Sequence, residues 1–243
     1  MVSPDGAEDR SPPPPPAFAA DDDTGSARHR YGVVLGLTIL AVLFSILAPE
    51  TPVGRAVAIL LQGLVLLSVI VTARDTRATR GTAGALTIAA IVALAVLVGV
   101  ELVPRWVGAA GTAIAVLAVL VVLTRGVARL VRERGVTVQA VAGALTTYLL
   151  IGLEFALVVR VAVGLSTQQY FAQVSNAAVT QSQEIYFSFT TLTTTGYGDL
   201  SPAVSAGRAL SVLEMLVGQI YLVTVIGLLV GNLRRSSERA PNG

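Results

Sequence analysis

Residues 193–199 read Thr-Thr-Thr-Gly-Tyr-Gly-Asp, and this short polar stretch lies between two long apolar segments. It cannot cross a bilayer, because about 20 helical residues are needed to span about 30 Å of hydrocarbon. Its glycines, Gly196 and Gly198, stand at alternate positions. Glycine adopts left-handed backbone conformations at little steric cost. The spacing therefore predicts a loop whose backbone alternates between right-handed and left-handed residues.

The composition around this loop is that of an integral membrane protein. Of the 243 residues, 53% are hydrophobic and 13% are charged, with a net charge of +2. The apolar residues form long runs and not amphipathic patterns. There is no cysteine and one histidine, His29, so thiolate and histidine-rich metal sites are excluded. No nucleophile–base pair is visible in the apolar runs, and we expect no enzyme, no cofactor and no nucleic-acid partner.

Six apolar runs are long enough to cross the membrane as helices. They extend approximately from Tyr31 to Leu47, Gly54 to Thr72, Thr82 to Val103, Trp106 to Leu123, Val136 to Leu165 and Ser205 to Leu233. Between the last two, Gln183 to Thr193 is too short to cross, and we interpret it as a re-entrant pore helix. The polar segment Ser166 to Ser182 is expected to form an exposed outer turret. The predicted fold is an all-α integral membrane protein with six transmembrane helices, a re-entrant helix and a loop.

The arginines orient these spans and divide the chain. Twelve arginines precede the first, third or fifth predicted span or follow the sixth. In a six-span arrangement all of these positions lie on the same side of the membrane. By the positive-inside rule both termini are cytoplasmic, and the loop enters from outside. The proline run at 12–16 predicts a disordered tail. The predicted regions are this tail (1–30), a four-helix domain with an arginine-rich cytoplasmic linker (31–135), a pore domain (136–233) and a short cytoplasmic tail (234–243).

From Val136 to Leu233 the chain resembles the two-helix pore module of potassium channels, which consists of an outer helix, pore helix, filter and inner helix. The loop is similar to the usual Thr-Val-Gly-Tyr-Gly selectivity filter. The following Asp-Leu-Ser-Pro at 199–202 and Gly-Arg at 207–208 also match the family pattern. The resemblance implies that rings of backbone carbonyls replace the hydration shell of K⁺. It implies a homotetramer, because each chain brings one filter segment and a closed ring needs four.

The resemblance also implies the residues that conduct the ion. Tyr197 would brace the loop outward, and the Thr194 hydroxyl would add an oxygen at the inner end of the filter. Gln219 and Thr224 are candidates for the polar lining of the inner cavity. The implied K⁺-binding residues are Thr194, Thr195, Gly196 and Tyr197, and Gly198 completes the outer entrance.

Four further residues have two interpretations each. Asp199 at the outer mouth is either a charge that concentrates cations or a structural partner of the pore helix. Gly218 stands where the family has a gating hinge, or it is a small residue that permits close helix packing. Glu154 and Glu214 lie within predicted spans, where a carboxyl group is costly. They are either functional modulators or hydrogen-bonded to a threonine or tyrosine of the pore helix.

The chain departs from the family pattern at one filter position and in the features that usually control gating. Thr195 replaces the commonest valine; because the ion-facing group is the carbonyl, K⁺ selectivity should survive. The fourth predicted span has no basic residue, whereas voltage sensing uses charges that each gain about 2.3 kcal/mol per 100 mV. Residues 234–243 are too few for a ligand-binding domain. Anionic lipid could act at the predicted linker, through Arg125, Arg129, Arg132 and Arg134.

We therefore predict a potassium-selective channel of the plasma membrane that is not strongly voltage-gated. One alternative is a weakly selective cation channel, which Thr195 motivates. A pore subunit of a potassium uptake system is a second, although such proteins usually resemble four filter modules in one chain. A non-conducting membrane scaffold, whose first four spans carry the function, is the alternative from a different class.

Overall fold

The computed structural model describes residues 30–47, 51–73, 104–229 and 231, and these residues are almost entirely helical outside one loop region. The predicted third span, Thr82 to Val103, lies outside the described residues, as do residues 1–29 of the predicted N-terminal tail and the predicted C-terminal tail. The helices are α1 (Arg30–Leu47), α2 (Pro52–Ala73), α3 (Arg105–Arg134), α4 (Val138–Leu165), α5 (Gln181–Leu192) and α6 (Ser205–Ile220). A 3₁₀ turn occupies Asn176–Ala178, and α6 continues as a π-helical turn, Tyr221–Ile226.

Among the described residues, three helical stretches are long and apolar enough to cross a membrane. They are Trp106–Arg132, Val138–Leu165 and Ser205–Leu229. The apolar helices at Tyr31–Leu47 and Val57–Val69 are shorter. That the protein has six transmembrane spans stays a prediction.

The arginine-rich linker that is predicted after the fourth span is helical. α3 continues without interruption through Arg125 to Arg134, because no proline or glycine pair breaks this stretch. The helix ends at Gly135, whose positive φ of 70° favours glycine. The next helix starts immediately, with the Thr137 hydroxyl accepting a hydrogen bond from the Ala140 N–H.

Helix α4 is the centre of the described structure, since it packs against α1, α3, α5 and α6. Its buried face includes Leu150 and Leu153, which join a continuous apolar core with Val116 of α3 and Val65 of α2. The short helix α5 enters the same core through Ile185. Two helices of the predicted pore module, α4 and α5, therefore share one apolar core with the helices that precede them in the chain.

The segment that precedes α5 is not the fully exposed turret that its glutamines predict. Tyr170 and Phe171 are buried, at 2% and 0% exposure. Backbone hydrogen bonds run from Ala172 N to Ser201 O (2.9 Å) and from Ala203 N to Tyr170 O (2.7 Å). Burial raises the pKa of Tyr170 to about 12. This aromatic pair anchors the outer segment to the chain that follows the loop, while the glutamines stay exposed.

Candidate functional site

The short helix that is predicted between the last two spans is present as α5, and its ends explain its length. A capping box starts it: the Thr180 hydroxyl accepts from Gln183 N (3.2 Å), and the Gln183 side chain accepts from Thr180 N (3.0 Å). The helix ends after Leu192, two residues before the backbone adopts a positive φ. Its bounds, Gln181–Leu192, lie within two residues of the predicted Gln183 to Thr193.

The loop after α5 has the alternating backbone that its glycine spacing predicts. Positive φ angles occur at Thr194 (58°), Gly196 (52°) and Gly198 (80°), and not at the residues between them. Glycine accepts this conformation freely, whereas it is strained for the β-branched Thr194. The sequence did not indicate this third left-handed residue.

Hydrogen bonds to the last turn of α5 hold the strained end of the loop. Thr194 N donates to Thr191 O (2.9 Å), and Thr195 N and Gly196 N both donate to Thr190 O (2.8 and 3.1 Å). The loop is thus attached by its backbone to the helix that precedes it. Its own side chains, from Thr193 to Asp199, are exposed in the single chain.

Aromatic and carboxylate contacts hold the outer half of the loop against α5. The Tyr197 ring stacks on Tyr186, with centroids 6.2 Å apart and planes at 6°. The Tyr186 side chain also interacts with the Asp199 carboxylate, and Asp199 Oδ1 accepts a hydrogen bond from Leu200 N at 3.1 Å. Asp199 therefore contacts α5 and is also exposed at the end of the loop, so both of its interpretations stay open.

Helix α6 reaches the inner end of the loop through a very close approach at Gly218. A Cβ built at this buried residue would collide with the Leu192 carbonyl oxygen and lie 2.9 Å from Leu192 Cδ1. Only glycine permits this contact, which favours packing as the role of Gly218. The next residue, Gln219, donates a hydrogen bond from Nε2 to Thr194 Oγ1 at 3.1 Å.

The segment below this contact is a π-helical turn from Tyr221 to Ile226. The Tyr221 hydroxyl donates to Ala144 O of α4 at 2.8 Å. Thr224, the second candidate for the cavity lining, donates its hydroxyl to the Ile220 carbonyl of its own helix. Isolated π turns within α-helices often occur at functional sites, and this one places a backbone irregularity one turn beyond Gly218.

The two acidic residues of the predicted spans occupy different environments. Glu214 is fully buried, and its Oε1 lies 2.5 Å from the Ser188 hydroxyl, which is 2.7 Å from the Gly152 carbonyl oxygen. Because a hydroxyl has one proton, Ser188 donates to one of these two acceptors at a time, and Glu214 Oε2 is buried without a hydrogen-bond partner among the described residues. Its partner on the pore helix is thus a serine and not the predicted threonine or tyrosine. For Glu154, Oε2 is buried and has no hydrogen-bond partner among the described residues.

A buried ion pair that sequence reasoning missed joins α4 to the first turn of α5. Arg160 Nε lies 2.5 Å from Glu184 Oε2, and Glu184 is 2% exposed. The two residues are 24 positions apart. The available signal in the sequence was that the predicted spans place Arg160, near the end of one span, at the same predicted depth as Glu184, at the start of the predicted re-entrant helix.

Comparison with known proteins assigns this region to a class. Residues 143–235 match the model of a protein family described as Ion channel. Neither a curated protein nor a solved structure matches the chain. The matched region covers most of α4, all of α5, the loop and α6, which is somewhat more than a third of the chain. The protein is therefore an all-α membrane protein that carries an ion-channel domain for passive ion conduction at residues 143–235.

Proposed function

We propose that this protein is one subunit of a homotetrameric, potassium-selective channel of the plasma membrane. The observation that carries the proposal is the alternation of positive φ angles at Thr194, Gly196 and Gly198. Alternating handedness turns successive carbonyls toward the same side of the chain, as a ring of carbonyl ligands requires. The K⁺ ions would be held by Thr194, Thr195, Gly196 and Tyr197, with Gly198 at the outer entrance.

The exposed surfaces of the single chain support the need for three further subunits. One filter segment cannot surround an ion, and its side chains are exposed from Thr193 to Asp199. Helix α6 also exposes large apolar side chains, among them Leu216 and Ile220 at 55% and 60%. In the tetramer these surfaces meet neighbouring subunits or line the inner cavity. Both termini are cytoplasmic in this arrangement.

The channel is not strongly voltage-gated in this proposal. The membrane-spanning part of α3 that corresponds to the fourth predicted span, Trp106 to Leu123, has no charged side chain. Exposed arginines follow it at Arg125, Arg129 and Arg132, which share one helical face by their spacing. Located at the cytoplasmic end of the helix, they would attract anionic lipid headgroups and not move through the field.

Ion selectivity is tested with purified protein in planar bilayers under asymmetric potassium and sodium. We expect a tetramer in detergent and single-channel currents that reverse close to the potassium equilibrium potential. Currents that reverse independently of the potassium gradient would contradict the proposal and indicate the weakly selective cation channel. A tetramer that passes no potassium in a liposome flux assay would instead indicate the non-conducting scaffold.

Thr195→Val should leave potassium selectivity unchanged, because the carbonyl and not the side chain faces the ion. It removes a hydroxyl that lies 2.9 Å from Thr193 Oγ1. We therefore expect the same reversal potential but an altered time course of current inactivation. Thr193→Val removes the same contact from its other end and should change inactivation in the same direction. A shift of the Thr195→Val reversal potential toward that of sodium would contradict this expectation.

A further inference from the structure

The inner end of the loop receives a polar side chain from the facing helix. Gln219 Nε2 lies 3.1 Å from Thr194 Oγ1, and the two residues are 25 positions apart. The contact depends on Gly218, since any larger side chain there would hold α6 away from Leu192. Both Gln219 and Thr194 are exposed in the single chain. The hydrogen bond therefore lies at the surface that faces the ion path in the proposed tetramer.

This contact determines what the Thr194 hydroxyl offers to a cation. A threonine hydroxyl has one proton and two lone pairs, and a glutamine amide nitrogen only donates. When Nε2 donates to Oγ1, one lone pair is occupied and the hydroxyl proton must point away from the amide. The second lone pair stays available, so the oxygen is oriented as an acceptor.

The backbone at Thr194 makes this orientation important. Its φ of 58° is strained for a β-branched residue, and its amide is tied to Thr191 O. The position of the side chain is thus set by the backbone, while the direction of the hydroxyl is set by its hydrogen bonds. Among the described residues, Gln219 donates to this oxygen from outside the loop.

We infer that Gln219 is a positioning residue that orients the Thr194 hydroxyl and thereby sets cation affinity at the inner end of the filter. The inference rests on the proposed function, in which four chains surround the ion path. Four glutamine amides then form a ring at the top of the inner cavity, each directed at the threonine of its own chain.

The test uses Ba²⁺ as the probe, because it is close to K⁺ in size and carries twice the charge. Gln219→Met keeps the length of the side chain and removes the donor. We expect its dissociation constant for Ba²⁺ to rise about tenfold, as losing a hydrogen bond of ordinary net strength implies. Binding is measured by titration calorimetry on the purified tetramer and by block from the cytoplasmic side of a bilayer.

Two further variants separate positioning from a general structural role. Ser211→Ala is the matched control, because Ser211 is on the same helix and its hydroxyl bonds to Gly207 O within that helix. It should bind Ba²⁺ like the original protein. Thr194→Val removes the hydroxyl on which Gln219 acts. In the double variant, Gln219→Met should therefore cause no further loss of affinity.

Three results would overturn the inference. They are unchanged Ba²⁺ affinity in Gln219→Met, an equal loss when this change is made in the Thr194→Val background, and loss of the tetramer in Gln219→Met while Ser211→Ala keeps it. Failure of the proposed function gives a different result, because the unaltered protein would then show no potassium selectivity. This result does not depend on how the variants bind Ba²⁺.

Discussion

Gly218→Ala is expected to abolish the assembled, conducting channel. The added methyl group would meet the backbone carbonyl oxygen of Leu192, which cannot rotate away as a flexible side chain can. Alanine would gain about 1 kcal/mol of helix propensity, but overpacking at a rigid contact costs about 3 kcal/mol. Leu192 is the last residue of the pore helix. A displaced α6 would therefore also disturb the start of the filter.

Gly227→Ala provides the matched control for this change. The nearest atom to a Cβ at Gly227 is 3.8 Å away, which is an ordinary contact, and the residue lies further along the same helix. We expect Gly227→Ala to keep the tetramer and the potassium flux. The two variants are compared in oligomeric state by size-exclusion chromatography, in stability by thermal unfolding in detergent and in conduction by liposome flux. A conducting Gly218→Ala tetramer with unchanged thermal stability would show that the close contact is dispensable.

Arg160→Leu is expected to destabilise the pore domain by about 3–5 kcal/mol, the usual cost of breaking a buried pair from one side. Glu184 is 2% exposed and the Arg160 side chain 16%, so solvent does little to replace the lost cation. The affected carboxylate is in the first turn of the pore helix. We therefore expect lower thermal stability and a smaller fraction of tetramer, as seen by unfolding in detergent and by chromatography.

The double variant Arg160→Leu/Glu184→Gln tests the physical reason for this loss. Removing both charges eliminates the buried carboxylate, and most of the stability should return. Arg125→Gln serves as the control, because Arg125 is exposed on α3. If Arg160→Leu were as stable as Arg125→Gln, the pair would contribute nothing to the fold. If the double variant were no more stable than Arg160→Leu, packing and not charge would explain the loss.

Much of the pore region could be predicted because its signals are local. A long apolar run places a helix from Val136 to Leu165, and the structure begins this helix two residues later. The spacing of Gly196 and Gly198 predicts the alternating loop, since glycine is the residue that adopts positive φ most easily. The helical conformation of the arginine-rich linker could not be predicted from its composition, because charged residues are equally compatible with an exposed helical turn and with a loop.

By itself, the sequence determined where the described apolar helices lie and which loop has a backbone that alternates in handedness. Those properties depend on neighbouring residues along the chain. Only the tertiary structure decided that Glu184 faces Arg160, that Glu214 meets Ser188 and that Gln219 reaches Thr194. The partners in these pairs are 24 to 26 positions apart. The chain reverses direction at the short helix α5, and this reversal brings the two residues of each pair together. The hydrophobic periodicity of the sequence does not predict which side chains meet after such a reversal.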